Sequence, residues 1–332
     1  MDPQTVYSGM LPGWMSGVVR EDETKIDVAA LAAKAGVKFV QDAVSGLDAA
    51  RKCLDLASGK LIGFNKLSFA IGGESDLTFL SQIGDKILPT KPVNRFVTGW
   101  KQVRIKLQTL ETASVAIIGG GPAGCELALA TRTTLAKPTD ITLFTGNDGL
   151  LPQFSGRTRT LAMQKLLASN IRIVQNLVMT SAEGILQENG SAHNFDAVIA
   201  ATGNLPPAWI KNSGLALSER GFVLIDSKMR SISHDDIFAA GDVSARCDGK
   251  GERSGVHAVK SGPILAQNLR AQFEKAPLVD YNPRKRSLYI MATGPEQAIL
   301  SWGLLTAAGH LPWLIKSRID RGFIKKYQRL AK

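Results

Sequence analysis

Residues 114–126 read Ser-Val-Ala-Ile-Ile-Gly-Gly-Gly-Pro-Ala-Gly-Cys-Glu, and three of their glycines stand at G-x-G-x-x-G spacing. In that pattern Gly119 allows a tight turn, Gly121 lets the backbone approach a pyrophosphate, and Gly124 lets a helix pack closely on a strand. Gly120, Pro122 and Ala123 complete the turn. The helix that follows would offer its free N–H groups and positive dipole end to phosphate. The spacing alone is a weak signal, but its setting strengthens it. Val115–Ile118 is a continuous apolar run, as suits a strand buried on both faces, and Ala123–Leu135 has helix-forming composition. The competing reading is a glycine turn in an ordinary α/β unit. Glu126 ends the motif on the first helical turn. An acid there suits the helix dipole whatever else it does.

The elements around this turn alternate. Asp140–Phe144 is a second apolar run, Thr158–Ala168 reads as a helix, and Ile171–Val174 and Ala197–Ala201 read as strands. Strands alternating with helices predict a parallel, doubly wound sheet. Thr202 and Gly203 close the Ala197–Ala201 strand and are counted with the nucleotide site.

Upstream, Val6–Gly13 reads as a loop from its Gly and Pro content, and Asp27–Ala35 reads as a helix. Lys38–Val40 and Ala43–Leu47 read as short strands, Lys60–Ile71 as one strand ending in Gly72-Gly73, and Arg95–Leu110 as a helix. Downstream, Asp236–Val243 is an apolar strand ending in Gly241-Asp242, and Val256–Phe273 is helical. Asn282–Thr293 and Gln297–Trp302 read as a hairpin about Gly294-Pro295, and Trp313–Lys332 as a terminal helix.

The chain has 332 residues, 44% hydrophobic and 21% charged, which are globular values for a protein of two or three domains. Its net charge of +11 is uneven. Residues 284–332 carry ten Lys/Arg against Glu296 and Asp320, so this segment holds eight of those charges and points to an anionic surface. On a helical wheel Ile315, Ile319, Phe323, Tyr327 and Leu330 share one sector, and Arg318, Arg321, Lys325, Arg329 and Lys332 another. Such a helix either docks on its own protein or lies on anionic lipid. No nucleic-acid module accompanies the charge. Gln297–Ile315 lacks formal charge with His310 neutral, but Ser301, Gly303, Thr306, Gly309 and Pro312 make it a poor membrane span. The three cysteines (Cys53, Cys125, Cys247) form no close pair, which excludes a redox dithiol, offers no zinc site and fits a reducing cytoplasm. No signal peptide is read at the N-terminus.

Four stretches together resemble the pyridine nucleotide-disulfide oxidoreductase superfamily, in its type II NADH dehydrogenase-like branch without a redox disulfide. The closest likeness is to the module that precedes selenide, water dikinase in some bacterial chains. Tyr7-Ser8-Gly9-Met10-Leu11-Pro12-Gly13 is similar to the family loop that reaches the flavin ring, and Ile117–Glu126 to its nicotinamide-nucleotide motif. Ile237–Asp242 resembles its second flavin motif, in which the aspartate, here Asp242 after Gly241, binds the ribityl and pyrophosphate region. Gly255-Val256-His257-Ala258-Val259 resembles the helix facing the flavin pyrimidine. In type II dehydrogenases the glutamate matching Glu126 lies near the stacked rings, which makes it the catalytic candidate.

The resemblance implies a Rossmann-like α/β flavoprotein with two dinucleotide-binding domains. Residues 1–110 and 226–275 would form the FAD-binding domain, 111–225 the NAD(P)-binding domain, and 276–332 a small C-terminal α+β segment. It implies FAD and NAD(P)H as cofactors, a quinone or other small electron acceptor, and a peripheral place on the cytoplasmic face of the inner membrane. A homodimer stays open. Two departures stand out. The family's first G-x-G-x-x-G unit, of about thirty residues, is missing before Tyr7, so the flavin domain is expected to be incomplete. The alternative reading is therefore a truncated NAD(P)-binding protein without flavin or redox turnover. Also, Thr145 stands where an acid is expected about 20 residues past the motif. With Arg157 and Arg159 nearby in sequence, NADPH is as open as NADH.

Overall fold

The computed structural model describes residues 2–135, 138–176, 178–181, 184–186, 192–251, 254–284 and 286–332. Lys285, one of the ten C-terminal basic residues, lies outside them. Seven α-helices occur among the described residues: α1 (Leu11–Met15), α2 (Val28–Lys34), α3 (Val93–Thr109), α4 (Pro122–Thr134), α5 (Gly156–Ala168), α6 (Gly255–Glu274) and α7 (His310–Ala331). Their starts follow from side-chain chemistry. The Asp27 carboxylate accepts from Ala30 N at 2.8 Å, and Ser155 Oγ accepts from Thr158 N. The segment Val6–Gly13, expected as a loop, is instead a 3-10 turn (Ser8–Met10) running into α1. Pro12 lies in the first turn of α1, where its missing N–H leaves no bond unmade.

The chain divides into two compact units. The larger comprises Asp2–Phe39, Ser75–Gly203 and Arg286–Lys332. At its centre five strands run parallel in the order Ile171–Val174, Thr139–Phe144, Ala113–Ile118, Ala197–Ala200, Ile87–Pro89. Ala116, Ile117, Val198, Ile199 and Leu143 are wholly buried there, as the unbroken apolar runs require. Phe96, Trp100 and Leu107 bring α3 into the same core. The fifth strand, Ile87–Pro89, pairs with Ala197–Ala200. That pairing draws residues 75–110 to the nucleotide sheet, whereas the sequence grouping 1–110 placed them with the flavin domain.

In the same unit the expected C-terminal hairpin has a third strand. Leu288–Gly294, Gln297–Trp302 and Leu305–Gly309 form an antiparallel sheet that leads directly into α7. The uncharged stretch Gln297–Ile315 is thereby split into two strands and a helix start. Among the described residues no helix is long and apolar enough to cross a membrane.

The smaller unit comprises Val40–Glu74 and Asn204–Lys285. It holds an antiparallel sheet (Val44–Asp48, Cys53–Leu56, Leu61–Gly63) and two parallel pairs, Leu67–Phe69 with Ile237–Ala239 and Val223–Ile225 with Ser244–Arg246. Phe69, Phe238, Ile210, Val223 and Leu265 of α6 fill its core. Three expectations change here. Lys38–Val40 forms no strand. Lys60–Ile71 is two strands, because Phe64-Asn65 interrupts the alternation and Lys66 turns to Asp236, which also pairs with Lys52. Residues 204–225 and 276–284 group with this unit rather than with the nucleotide and C-terminal segments.

Candidate functional site

The nucleotide turn is built by close backbone contacts. Gly119 donates its N–H to Phe144 O at 2.8 Å and has φ +137°, a conformation that favours glycine. A Cβ there would fall 2.1 Å from Ala201 O, which ties the turn to the end of the Ala197–Ala200 strand. At Gly124 a Cβ would fall 1.8 Å from Gly119 O, so α4 can lie against the strand only without one. Gly120 is crowded by Gly149 O and Thr145, and its carbonyl accepts from Leu151 N. Gly121 is the exception. It is the N-cap of α4, has φ −78°, and a Cβ would meet no protein atom within 4 Å. Pro122 opens α4 and no side chain caps it. The open space therefore lies at the uncapped helix end, where a pyrophosphate fits.

The neighbouring candidates are held by backbone. Thr145 is buried; its N–H donates to Val174 O at 2.9 Å, and its hydroxyl points to the Val174 and Gly146 carbonyls. Thr202 Oγ1 donates to Asp76 O at 2.7 Å, and Gly203 O accepts from Asp76 N at 2.8 Å. Arg157 and Arg159 are exposed on α5.

One turn into α4, Glu126 opens onto a cavity of about 50 Å³ whose lining includes Gly9, Met10, Trp313, Lys316 and Asp320. The Glu126 carboxylate accepts from Ala292 N at 2.7 Å. Lys316 Nζ donates to Gly9 O at 2.8 Å and pairs with Asp320 Oδ2 at 3.0 Å, one helical turn on. Tyr7 hydrogen-bonds Asp320 and packs at a tilt against Phe323 with ring centroids 4.6 Å apart. Glu126 and Lys316 thus face one cavity, each anchored from behind, and are not within 4.0 Å ion-pair distance of each other.

The electrostatics follow from burial. Desolvation pushes Glu126 above the usual carboxylate range, with the Lys316 ammonium opposing. Asp320 is raised for the same reason, against Lys316 and Tyr7. Burial alone would lower Lys316, but Glu126 and Asp320 outweigh it and hold it up. Glu126 and Asp320 thus share one ammonium, and each is held up by burial and held down by that charge.

Residues 4–272 match the pyridine nucleotide-disulphide oxidoreductase family. The chain belongs to that family. A demethylphylloquinone reductase of Synechocystis sp. is 24% identical over 290 residues, 82% of this chain and 70% of that protein. A mitochondrial internal alternative NAD(P)H-ubiquinone oxidoreductase of Arabidopsis thaliana is 22% identical over 229 residues, 62% of this chain. The chain spans 43% of the Arabidopsis protein and 40% of a matching dihydrolipoyl dehydrogenase of Chlamydia pneumoniae. Among solved structures, the sulfide:quinone oxidoreductase of Aquifex aeolicus superposes with TM-score 0.78 at 17% identity, covering 99% of this chain and 84% of that one. NDH2 of Plasmodium falciparum, solved with NADH, gives 0.76 at 14%, covering 97% and 91%. These likenesses establish a shared fold.

The pyridine nucleotide-disulphide oxidoreductase family carries FAD, and the smaller unit can be tested for its fit. Gly241 has φ +74°, begins a 3-10 turn, and lies against Ala258. The N-terminus of α6 is uncapped, and Ser254 Oγ is buried there with no hydrogen-bond partner among the described residues. An uncapped helix end with an orphaned hydroxyl suits a polar ligand, so Gly241, Asp242 and Ala258 fit the flavin end. His257 is buried with its ring on Tyr281 Oη at 3.0 Å, on a different face of α6 from Ala258. Val259 is 42% exposed. Gly9 and Met10 line the Glu126 cavity, while Tyr7 reaches it only through Asp320 and Ser8 does not line it. Lys316 and Asp320 are the site residues that sequence reasoning missed.

Proposed function

We propose that this chain is an FAD-dependent NAD(P)H dehydrogenase that passes electrons to a quinone-like acceptor held in the Glu126–Lys316 cavity. The observation that carries this reading is one carboxyl group and one ammonium facing the same cavity, one turn beyond an open dinucleotide turn. Flavin, when bound, accepts hydride from the nicotinamide and releases electrons singly or in pairs. The protein's own part is positional and electrostatic. The Gly119–Gly124 turn and the α4 N-terminus hold the nucleotide pyrophosphate. Gly241, Asp242 and the α6 N-terminus hold the flavin. Lys316 offers an N–H to an acceptor carbonyl, and Glu126, raised by burial, supplies or stores a proton as the acceptor is reduced. The named relatives reduce quinones, which supports the acceptor class.

A membrane surface is the second part of the reading. On α7 the docked face carries Pro312, Lys316, Asp320 and Ile324. The outward side exposes Leu311, Leu314 and Ile315, then Lys325 and Arg329. Trp302, Leu304 and Leu305, in the adjoining strands and their turn, are 53%, 83% and 59% exposed. An apolar patch followed by cations on one helix face suits anionic lipid, where a lipid-soluble quinone resides.

The test is the visible absorption spectrum of the purified chain incubated with FAD, then anaerobic NADH or NADPH followed by menadione. A flavin spectrum that bleaches with nucleotide and returns with menadione supports the reading. The open turn at Gly121 by itself supports a second reading: a nucleotide-binding chain without turnover. A colourless protein that still binds NADH would establish that second reading.

A further inference from the structure

The cavity floor holds more charged groups than a proton donor and a carbonyl ligand require. Asp320 is only 7% exposed, lies on the docked face of α7, and accepts from both Lys316 and Tyr7. We propose that Asp320 is the positioning residue of this site: it fixes the Lys316 ammonium at the cavity, and Tyr7 fixes Asp320. This inference rests on the acceptor reading of the cavity.

The donor count supports it. A lysine ammonium has three N–H bonds. One goes to Gly9 O at 2.8 Å and one to Asp320 Oδ2 at 3.0 Å, which leaves one for the cavity that Lys316 lines. A flexible four-carbon stem would otherwise leave this point charge mobile. The second anchor is itself built. A Cβ on Gly9 would come 2.8 Å from the Tyr7 ring, so only glycine brings that carbonyl to Lys316 with Tyr7 in place. Phe323 packs against the Tyr7 ring with centroids 4.6 Å apart. The groups facing Asp320 are Lys316 on its own helix, Tyr7 from the N-terminal segment and, through space, Glu126 on α4; Arg321 also lines the cavity. Asparagine at 320 would keep the shape and the acceptor atom but remove the negative charge, so the geometric and electrostatic roles separate.

The experiment follows the Lys316 Cε resonance against pH in protein carrying 13C-labelled lysine, assigned with Lys316→Met. In the unaltered chain the Lys316 inflection should lie above the ordinary lysine range, held up by Glu126 and Asp320. In Asp320→Asn its inflection should fall by about one to three pH units, and Asp320→Glu should restore most of it. An unchanged inflection in a folded Asp320→Asn protein would overturn the proposal. A parallel titration follows menadione quenching of Trp313, with Trp313→Phe as control. Its affinity should weaken as pH passes the Lys316 inflection, and the weakening should move with Asp320→Asn. Absence of menadione binding in the unaltered chain removes the acceptor reading, while the lysine titration still decides the role of Asp320.

Discussion

Replacing Gly121 with alanine separates folding from binding at the nucleotide turn. At this position φ is −78°, which any L-residue adopts, and the added methyl would meet no protein atom within 4 Å. The folded state therefore gains no strain. Stability should change by no more than about 0.5 kcal/mol, and the stiffer unfolded chain tilts the sign toward stabilisation. The same methyl enters the space at the uncapped α4 end where the pyrophosphate is placed. Losing one charge-assisted hydrogen bond there costs about 1.5–3 kcal/mol, so NADH affinity should fall at least about tenfold. Gly124→Ala is the contrast. Its methyl would sit 1.8 Å from Gly119 O, a backbone atom that cannot step aside, and relief requires moving α4 off its strand. That overpacking should cost about 1–3 kcal/mol or more in stability. The assays are thermal melting for both variants and titration of NADH fluorescence for binding. A folded Gly121→Ala chain that binds NADH as the unaltered chain does would refute the placement of the pyrophosphate.

Three further outcomes follow from the same geometry. Burial raises Glu126 above its unfolded value of about 4.3, so the stability it contributes is present below that value and lost as pH rises through its folded pKa. Glu126→Gln should flatten the fall in melting temperature as pH rises above that unfolded value; parallel curves would remove Glu126 from the pH response. The Cys125 thiol is buried and pushed up to about 12 by burial and the Glu126 carboxylate, whereas Cys247 is exposed. Iodoacetamide should therefore label Cys247 in the native chain and reach Cys125 only after denaturation, as read by peptide mass spectrometry. Leu304→Asp with Leu311→Asp should reduce co-sedimentation with phosphatidylglycerol vesicles, and added salt should weaken the remaining binding; unchanged sedimentation would sink the α7 membrane reading.

The nucleotide turn was legible in the sequence because its determinants are local. Gly119, Gly121 and Gly124 act within one strand, turn and helix, and their spacing reflects the close approaches seen at Ala201 O and Gly119 O. The parallel strands were legible for a similar reason, since burial on both faces leaves unbroken apolar runs. Short strands were not. Leu61–Gly63 and Leu67–Phe69 merged into one because a few residues cannot show a period, and the interruption is set by Lys66 turning to the distant Asp236.

The cavity was legible only in part, and α7 shows why. Its wheel put Ile315, Ile319, Phe323, Tyr327 and Leu330 in one apolar sector, to dock on the protein or to lie on lipid. In the structure only Phe323 and Tyr327 pack, while Ile315, Ile319 and Leu330 are 36%, 49% and 53% exposed. The buried face instead runs through Lys316 and Asp320, the least apolar residues on it. Hydrophobic periodicity places a helix by the assumption that charge faces water. That assumption fails where charges neutralise one another across the fold. Lys316 and Asp320 satisfy each other at i,i+4, but the groups that complete their burial, Glu126, Gly9 and Tyr7, lie about two hundred or more residues away in the chain. A buried ion pair of this kind is expensive, and apolar residues of similar size would often stabilise α7 better. Its place at a cavity, with Glu126 opposite, therefore accords with the proposed role of the site better than with stability alone. It follows that replacing Lys316 and Asp320 together with methionine and leucine should leave α7 docked and melting temperature equal or higher. The same double variant should lose menadione quenching of Trp313. If it instead unfolds, the pair serves the fold, and the argument from cost fails.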